Sequence, residues 1–285
     1  MERQEVIKRI YSLIDEIPTL PAVVPKLLSL FEQEDADARK IARLISEDPA
    51  LTANVLKVAN SAYYGFPGRI TGLEHAVMLL GFNMVRALTL SVGVIKSLPE
   101  SKDGFLEETL WLHSIRVATS MEELGKQFSM PSDERGYIFI IGLLHDIGKV
   151  LFDLLFPDQY KELLDTEQDF DTASLSKKEI SLFGINHAEA GSLLLKRWNF
   201  PEIIWMPIGF HHSDNLPEGI DNRLLSLLRL SDMISLNYET PEDLCPEDCK
   251  AELETLSLEE DVLFTTAHSL KEAEERIRAF YLSLH

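Results

Sequence analysis

Only two cysteines occur in 285 residues, Cys245 and Cys249. They share one Cys-Pro-Glu-Asp-Cys stretch with no second pair to complete a zinc site, so they read as reduced thiols rather than a disulfide framework. Positive charge is also scarce: 27 Lys and Arg stand against 47 Asp and Glu, a formal charge of −20. A surface of that sign repels a phosphate backbone, which excludes nucleic acid as the default partner. No apolar run approaches the roughly 20 residues of a membrane-spanning helix. The N-terminal Met-Glu-Arg-Gln-Glu-Val-Ile-Lys-Arg-Ile lacks the apolar core of a signal peptide. The expectation is a soluble cytoplasmic protein that makes no use of a membrane. Period-two alternation is sustained nowhere, and this absence predicts an all-α fold. What the chain does have is 45% hydrophobic residues, enough to bury a large core.

Helical periodicity begins at once, with Val6, Ile10, Leu13 and Ile14 on one face of residues 1–16. Pro18 and Pro21 break it. Short helices are predicted over 22–31 and 36–45. Asp48-Pro49 is a restart signal, an N-cap followed by a proline at the first helical position, and starts a helix to about residue 60. After an irregular loop at 63–68, Thr71 and Glu74 have capping-box spacing, with Gly81 as the stop and Asn83 as the next cap. Helices are then predicted over 107–128, through 137–149, from Asn186 through Trp198, from Pro201 to Phe210, and across Leu224–Leu230 to Asp232. Residues 158–180 read as a polar surface excursion. From Glu239 to Asp261 ten acids face one base, Lys250, and the stretch reads as a solvated acidic linker before a last helix over 263–284. The two short helices meeting at Asp48-Pro49 mimic a helix-turn-helix. Between Glu34 and Asn60, however, five acids outweigh four bases, the wrong sign for a recognition helix.

The chemistry gathers in the second half. The run from Tyr137 to Lys149 reads as a buried helix that turns His145 and Asp146 inward, with Lys149 one turn on from His145 bringing a positive charge to the same cleft. A buried imidazole and carboxylate cost several kcal/mol unless partnered. A core histidine bonded to its neighbour would satisfy an isolated pair, but this pair is not isolated. Five of the eight histidines, His113, His145, His187, His211 and His212, fall on helices that also carry Asp146 and Asp232. Histidine is seldom used for packing, and such a set is accounted for by cations. Seven ligands exceed one site, and a carboxylate such as Asp146 can bridge two metals. Nitrogen-rich ligands favour transition metals over calcium or magnesium. Iron or manganese, rather than zinc, is the expectation.

The order His113, His145-Asp146, His187, His211-His212, Asp232 resembles the ligand series of the HD superfamily of metal-dependent phosphohydrolases, especially its HD-GYP branch. The N-terminal motifs are similar to the HDOD family, the HD-related output domain of bacterial signalling proteins. They are Ile17-Pro18-Thr19-Leu20-Pro21, Asp48-Pro49-Ala50-Leu51, Val58-Ala59-Asn60-Ser61-Ala62-Tyr63-Tyr64 and Ala76-Val77-Met78-Leu79-Leu80-Gly81. The match covers roughly residues 15–235. The resemblance implies an N-terminal helical half over 15–104, an HD-like metal-binding half over 105–237, and an acidic linker with a C-terminal helix over 238–285. It also implies one metal on His113, His145, Asp146 and Asp232 and another on Asp146, His187, His211 and His212. Lys149 and Arg116 would hold phosphate oxygens, and a water activated between the metals would be the nucleophile.

The sequence departs from the HD-GYP pattern after His212, where a Gly-Tyr-Pro loop that helps recognise cyclic di-GMP is replaced by Ser213-Asp214-Asn215-Leu216-Pro217-Glu218-Gly219. An acidic loop with Asp214, Glu218 and Asp221 would sit beside the metals and repel that dinucleotide. The leading expectation is a dinuclear-metal signalling domain whose output is the binding of a signalling protein or a nucleotide-like ligand. An active phosphodiesterase or phosphohydrolase on a nucleotide-like substrate is the second expectation, and an oxygen-activating di-iron enzyme the third. His75, His268 and His285 are expected to stay outside the site.

Overall fold

The computed structural model describes residues 2–17, 20–29, 38–99, 107–128, 130, 135–165 and 172–284. Among these residues there are helices and no strands. The amphipathic α1 (Arg3–Glu16) buries Val6, Ile10 and Ile14, the face its periodicity predicts. It is followed by α2 (Val23–Ser29), α3 (Ala38–Ser46) and α4 (Pro49–Ala59). Asp48 caps α4 by accepting from the Leu51 N–H at 2.9 Å, with Pro49 in the first turn, as expected of that dipeptide.

A 3-10 turn at Ala62–Tyr64 ends on Gly65 in the left-handed region, and α5 (Leu73–Leu80) and α6 (Phe82–Ser97) follow, separated by Gly81 at φ 85°. Two expected caps are not used. Gly72, not Thr71, stands at the α5 N-cap, and the Thr71 hydroxyl lies 3.3 Å from His75 Nδ1 instead. At α6 the cap is Gly81, and the Asn83 side chain accepts from Arg86 within the helix. Most of α6 is buried, which makes it the axis of the N-terminal half.

The second half comprises α7 (Glu107–Gln127), α8 (Arg135–Leu144), α9 (Ile147–Leu155), α10 (Pro157–Asp165), α11 (Thr172–Phe183), α12 (His187–Arg197), α13 (Glu202–Phe210) and α14 (Asn222–Leu236). The run over 137–149 is not one helix: α8 ends at Leu144, His145 and Asp146 occupy a turn, and α9 begins at Ile147. The break frees the Gly142 carbonyl, which accepts from His145 Nδ1 at 2.8 Å. Glycines set the spacing around this turn. A Cβ on Gly142 would meet the α7 backbone at Ala118, and one on Gly148 would overlap the His187 carbonyl at the start of α12. Only glycine lets α9 approach α12 closely enough to bring Asp146 to His187.

Residues 158–180 are not a surface excursion where they are described. Tyr160 and Leu164 of α10 are buried, as are Leu175, Ser176, Glu179 and Phe183 of α11. Nor is 239–261 a solvated linker. Two 3-10 turns and α15 (Lys250–Leu256) bury Leu244, Cys249, Leu253 and Leu256 while most of the acids face water, and α15 packs on α14. Charge dominates the composition there, but the apolar residues recur often enough to line one face. Both cysteines are free thiols. The last helix, α16 (Asp261–Leu284), packs against α4, α7 and α14 and so ties the two halves together.

Candidate metal centre

All seven side chains singled out from the sequence converge on one point between α7, α12, α13, α14 and the α8–α9 turn. His113 comes from α7, His145 and Asp146 from the turn, and His187 from the first residue of α12. His211 and His212 follow α13, and Asp232 lies near the end of α14. Three overlapping triads have their ligating atoms within 4.8 Å of one another: His187, His211 and His212; His113, His145 and Asp146; and His145, His211 and Asp232. Asp146 stands between the groups. Its Oδ1 lies 3.1 Å from His187 Nε2, and its Oδ2 lies 3.3 Å from His145 Nε2 and 3.6 Å from His113 Nε2. Asp232 Oδ1 is 3.0 Å from His113 Nε2 and 3.8 Å from His145 Nε2.

The rings are oriented from outside. Nδ1 of His145 donates to the Gly142 carbonyl at 2.8 Å, and Nδ1 of His211 donates to the Ile208 carbonyl at 2.6 Å. Nδ1 of His187 donates to Glu179 at 2.7 Å, and Nδ1 of His113 lies 3.2 Å from the Ser235 hydroxyl. A carbonyl can only accept, so the contacts of His145 and His211 place a proton on Nδ1 and turn Nε2 toward the centre. Nε2 of His113, His145 and His211 and Oδ1 of Asp146 are buried without a hydrogen bond among the described residues. His212 Nε2 faces His187 Nε2 at 3.1 Å, where two lone pairs repel unless a proton or a cation lies between them. Buried polar atoms aimed at one another without hydrogen bonds fit a cation, because each otherwise bears an uncompensated loss of hydration.

Electrostatics divide the rings. Burial, reinforced by its charged ring neighbours, pushes His211 down to about 3 and His212 well below its ordinary value, and burial also lowers His113. His187 is raised to about 9, because Glu179 and Asp146 outweigh the opposing effect of burial. His145 is raised against burial by Asp146. Burial works against the Asp146 and Asp232 carboxylates too, yet the surrounding imidazoles, and Lys149 for Asp146, hold both well below the usual carboxylate range. A cation entering this set takes over the role of those ring protons, and binding it would release them.

Lys149 enters the cleft as expected, but through Asp146, three residues earlier, whose Oδ2 it contacts at 2.6 Å. Arg116 does not join the cluster. Its guanidinium makes two 3.1 Å contacts to Glu274 and lies 4.4 Å from the centroid of the Tyr238 ring. In the loop after His212, Asp221 is spent on capping α14 through the Arg223 and Leu224 N–H groups. His75 stays on α5 beside Thr71, and His268 is exposed on α16, bonded to the Phe264 carbonyl. His285 lies outside the described residues.

Three participants were not foreseen. Glu179 sits on the stripe Leu175, Glu179, Phe183, whose four-residue spacing marks a buried face and was the legible signal. Ser235 follows Asp232 by three residues, which puts both on one face of α14. Arg229 donates to the carbonyls of Phe210, His211 and Ser213, and so pins the turn that carries His211 and His212.

Comparison with known proteins agrees with this fold. The solved structure of a candidate phosphohydrolase from Shewanella amazonensis SB2B superposes with a TM-score of 0.76 at 25% identity, over 97% of this chain and 98% of that one. An HDOD domain protein of unknown function from Geobacter sulfurreducens shares the fold with a TM-score of 0.77 at 23% identity, over 99% and 98% of the two chains. An uncharacterized protein of Treponema pallidum (strain Nichols) is 30% identical over 269 residues, 92% of this chain but 50% of that protein, so the chain spans about half the length of this curated relative. No helix among the described residues is long and apolar enough to cross a membrane. The HDOD domain model matches residues 17–214, from the first proline-flanked motif to just beyond His212 with Asp232 outside it, and the chain belongs to the HDOD family.

Proposed function

We propose that this chain is a signalling output domain built on a two-metal centre, and that its output is the binding of a signalling protein or a nucleotide-like ligand. The observation that carries the reading is the convergence of seven ligand-type side chains whose rings are turned inward by outside hydrogen bonds. His113, His145, Asp146 and Asp232 would hold one ion, and Asp146, His187, His211 and His212 the other, iron or manganese suiting this mixture of nitrogen and oxygen. Bound there, the ions would supply Lewis acidity toward an anionic ligand.

Two features favour binding over turnover. His145, Asp146, His187, His211 and Asp232 are all buried, and only His113 and His212 are partly exposed, as in a closed metal site. The two cations that would hold phosphate oxygens are already engaged, Lys149 by Asp146 and Arg116 by Glu274. A second reading, a metal-dependent phosphohydrolase on a nucleotide-like substrate, draws support from the likeness to the Shewanella protein. The two readings separate in a turnover assay of iron- or manganese-loaded protein, under reducing conditions, with cyclic di-GMP and a generic phosphodiester. The expected outcome is no metal-dependent product from either substrate. Product that disappears in Asp146→Ala would put the second reading first.

A further inference from the structure

Four histidines of the centre have an identified partner for Nδ1, and three of those partners are neutral: two backbone carbonyls and the Ser235 hydroxyl. The fourth is the carboxylate of Glu179. This residue is fully buried, and donors approach both of its oxygens. The Tyr160 hydroxyl is 2.8 Å from Oε1, while the His187 backbone N–H at 2.8 Å and His187 Nδ1 at 2.7 Å share Oε2.

All three contacts could be kept by a glutamine. Its carbonyl oxygen would accept both donors of His187, and its amide would donate to the Tyr160 oxygen. A carboxylate at this depth loses hydration that the amide would not, so its charge calls for a positive counterpart. The start of α12 offers a partial charge, and full charges come from the His187 ring, which Glu179 and Asp146 raise, and from Lys149. The triad of His187, His211 and His212 contains no carboxylate and reaches only the shared Asp146, whereas the triads on the other side include both Asp146 and Asp232.

We infer that Glu179 is a positioning residue of the metal centre: acting through the His187 ring, it adds to the bridging Asp146 a second negative charge that tunes the cation affinity of the half formed by His187, His211 and His212. This rests on the two-metal reading above. A hydrogen-bonded carboxylate fixes the ring tautomer and raises the basicity of Nε2, so the effect is electrostatic as well as orienting. The Tyr160 hydroxyl bonds the other oxygen, while the two donors of His187 fix the carboxylate from its own side.

The test is titration of metal-free full-length protein with Mn2+ alone, comparing wild type, Glu179→Gln, Tyr160→Phe and His212→Ala. Glu179→Gln should weaken one of two binding steps by about 10–100-fold and leave the other unchanged. The weakened step should be the one that His212→Ala removes. Tyr160→Phe, which keeps the charge, should retain both steps. Glu179→Gln protein that binds Mn2+ like wild type, with or without a loss of thermal stability, would overturn the inference and leave Glu179 as a helix-end and packing residue. Equal weakening in Tyr160→Phe would also overturn it, because the effect would then be packing rather than charge. Wild-type protein that takes up no Mn2+ would instead remove the two-metal reading on which it rests.

Discussion

The Lys149 ammonium lies 2.6 Å from Asp146 Oδ2, and both groups are buried. Burial opposes the charge on each, and the pair overcomes it: Lys149 is raised by Asp146, and Asp146 is lowered by His145 and Lys149. Removing one member of a buried pair leaves the other charge uncompensated, which typically costs about 3–5 kcal/mol. Lys149→Met is therefore expected to lower the stability of metal-free protein by about 3 kcal/mol. Urea unfolding in the presence of a chelator measures this, and adding Mn2+ should narrow the gap. A variant as stable as wild type without metal would contradict the assignment.

Arg229 reaches back from α14 to three carbonyls at the end of α13, and its Nη1 lies 3.6 Å from Glu252 of α15. Arg229→Met strips a charged donor from the turn bearing His211 and His212. Hydrogen bonds to a charged group contribute roughly 1.5–3 kcal/mol each, and they overlap here, so a loss of about 3 kcal/mol is expected. Metal affinity should fall with it. Glu252→Gln, at a pair partly open to water, should change stability by less than about 1 kcal/mol. Equal losses in the two variants would mean that the acidic segment, rather than the carbonyl contacts, holds the turn.

Away from the centre, Glu122 of α7 sits 3.5 Å from the Tyr63 hydroxyl, which also bonds Thr119 at 2.8 Å. Burial raises its carboxyl to about 7, against the opposing pull of Lys126 and the Tyr63 hydrogen bond. A carboxyl raised in the folded state holds a proton that the unfolded chain has released. Between the ordinary carboxylate value and about 7 this group therefore makes stability fall as pH rises, with no further change above that window. Below the window both states are protonated and the contribution vanishes. Glu122→Gln removes this slope, so the gap between variant and wild type should shift in the variant's favour from pH 4.5 to 7.5. Thermal unfolding at each pH reads the difference, and a gap independent of pH would refute it.

Much of the centre was legible in the sequence because histidines beside apolar runs have few bland explanations. His113, His145, Asp146, His187, His211, His212 and Asp232 could all be picked by residue type and order, and the structure brings them together. The helices that present them followed from periodicity, with the helix that opens on His187 read as starting at Asn186. Residues whose role depends on a distant partner were harder to read. Nothing local tells that Arg116 answers to Glu274, 158 residues away, rather than to a ligand. Glu179 was obscured by the charged residues around it, although it shares a stripe with Leu175 and Phe183. The 239–261 segment misled for the same reason: net charge is read at a glance, but burial is decided by which face Leu244, Leu253 and Leu256 share.

The central claim is that Asp146 joins two cation sites, since its two oxygens face His187 on one side and His145 and His113 on the other. Elemental analysis of purified wild-type and Asp146→Ala protein tests this most directly. The account predicts close to two transition-metal ions per wild-type chain, iron or manganese before zinc, and loss of both in Asp146→Ala, with His75→Gln and His268→Gln unchanged. An Asp146→Ala protein that keeps its full metal content would contradict it.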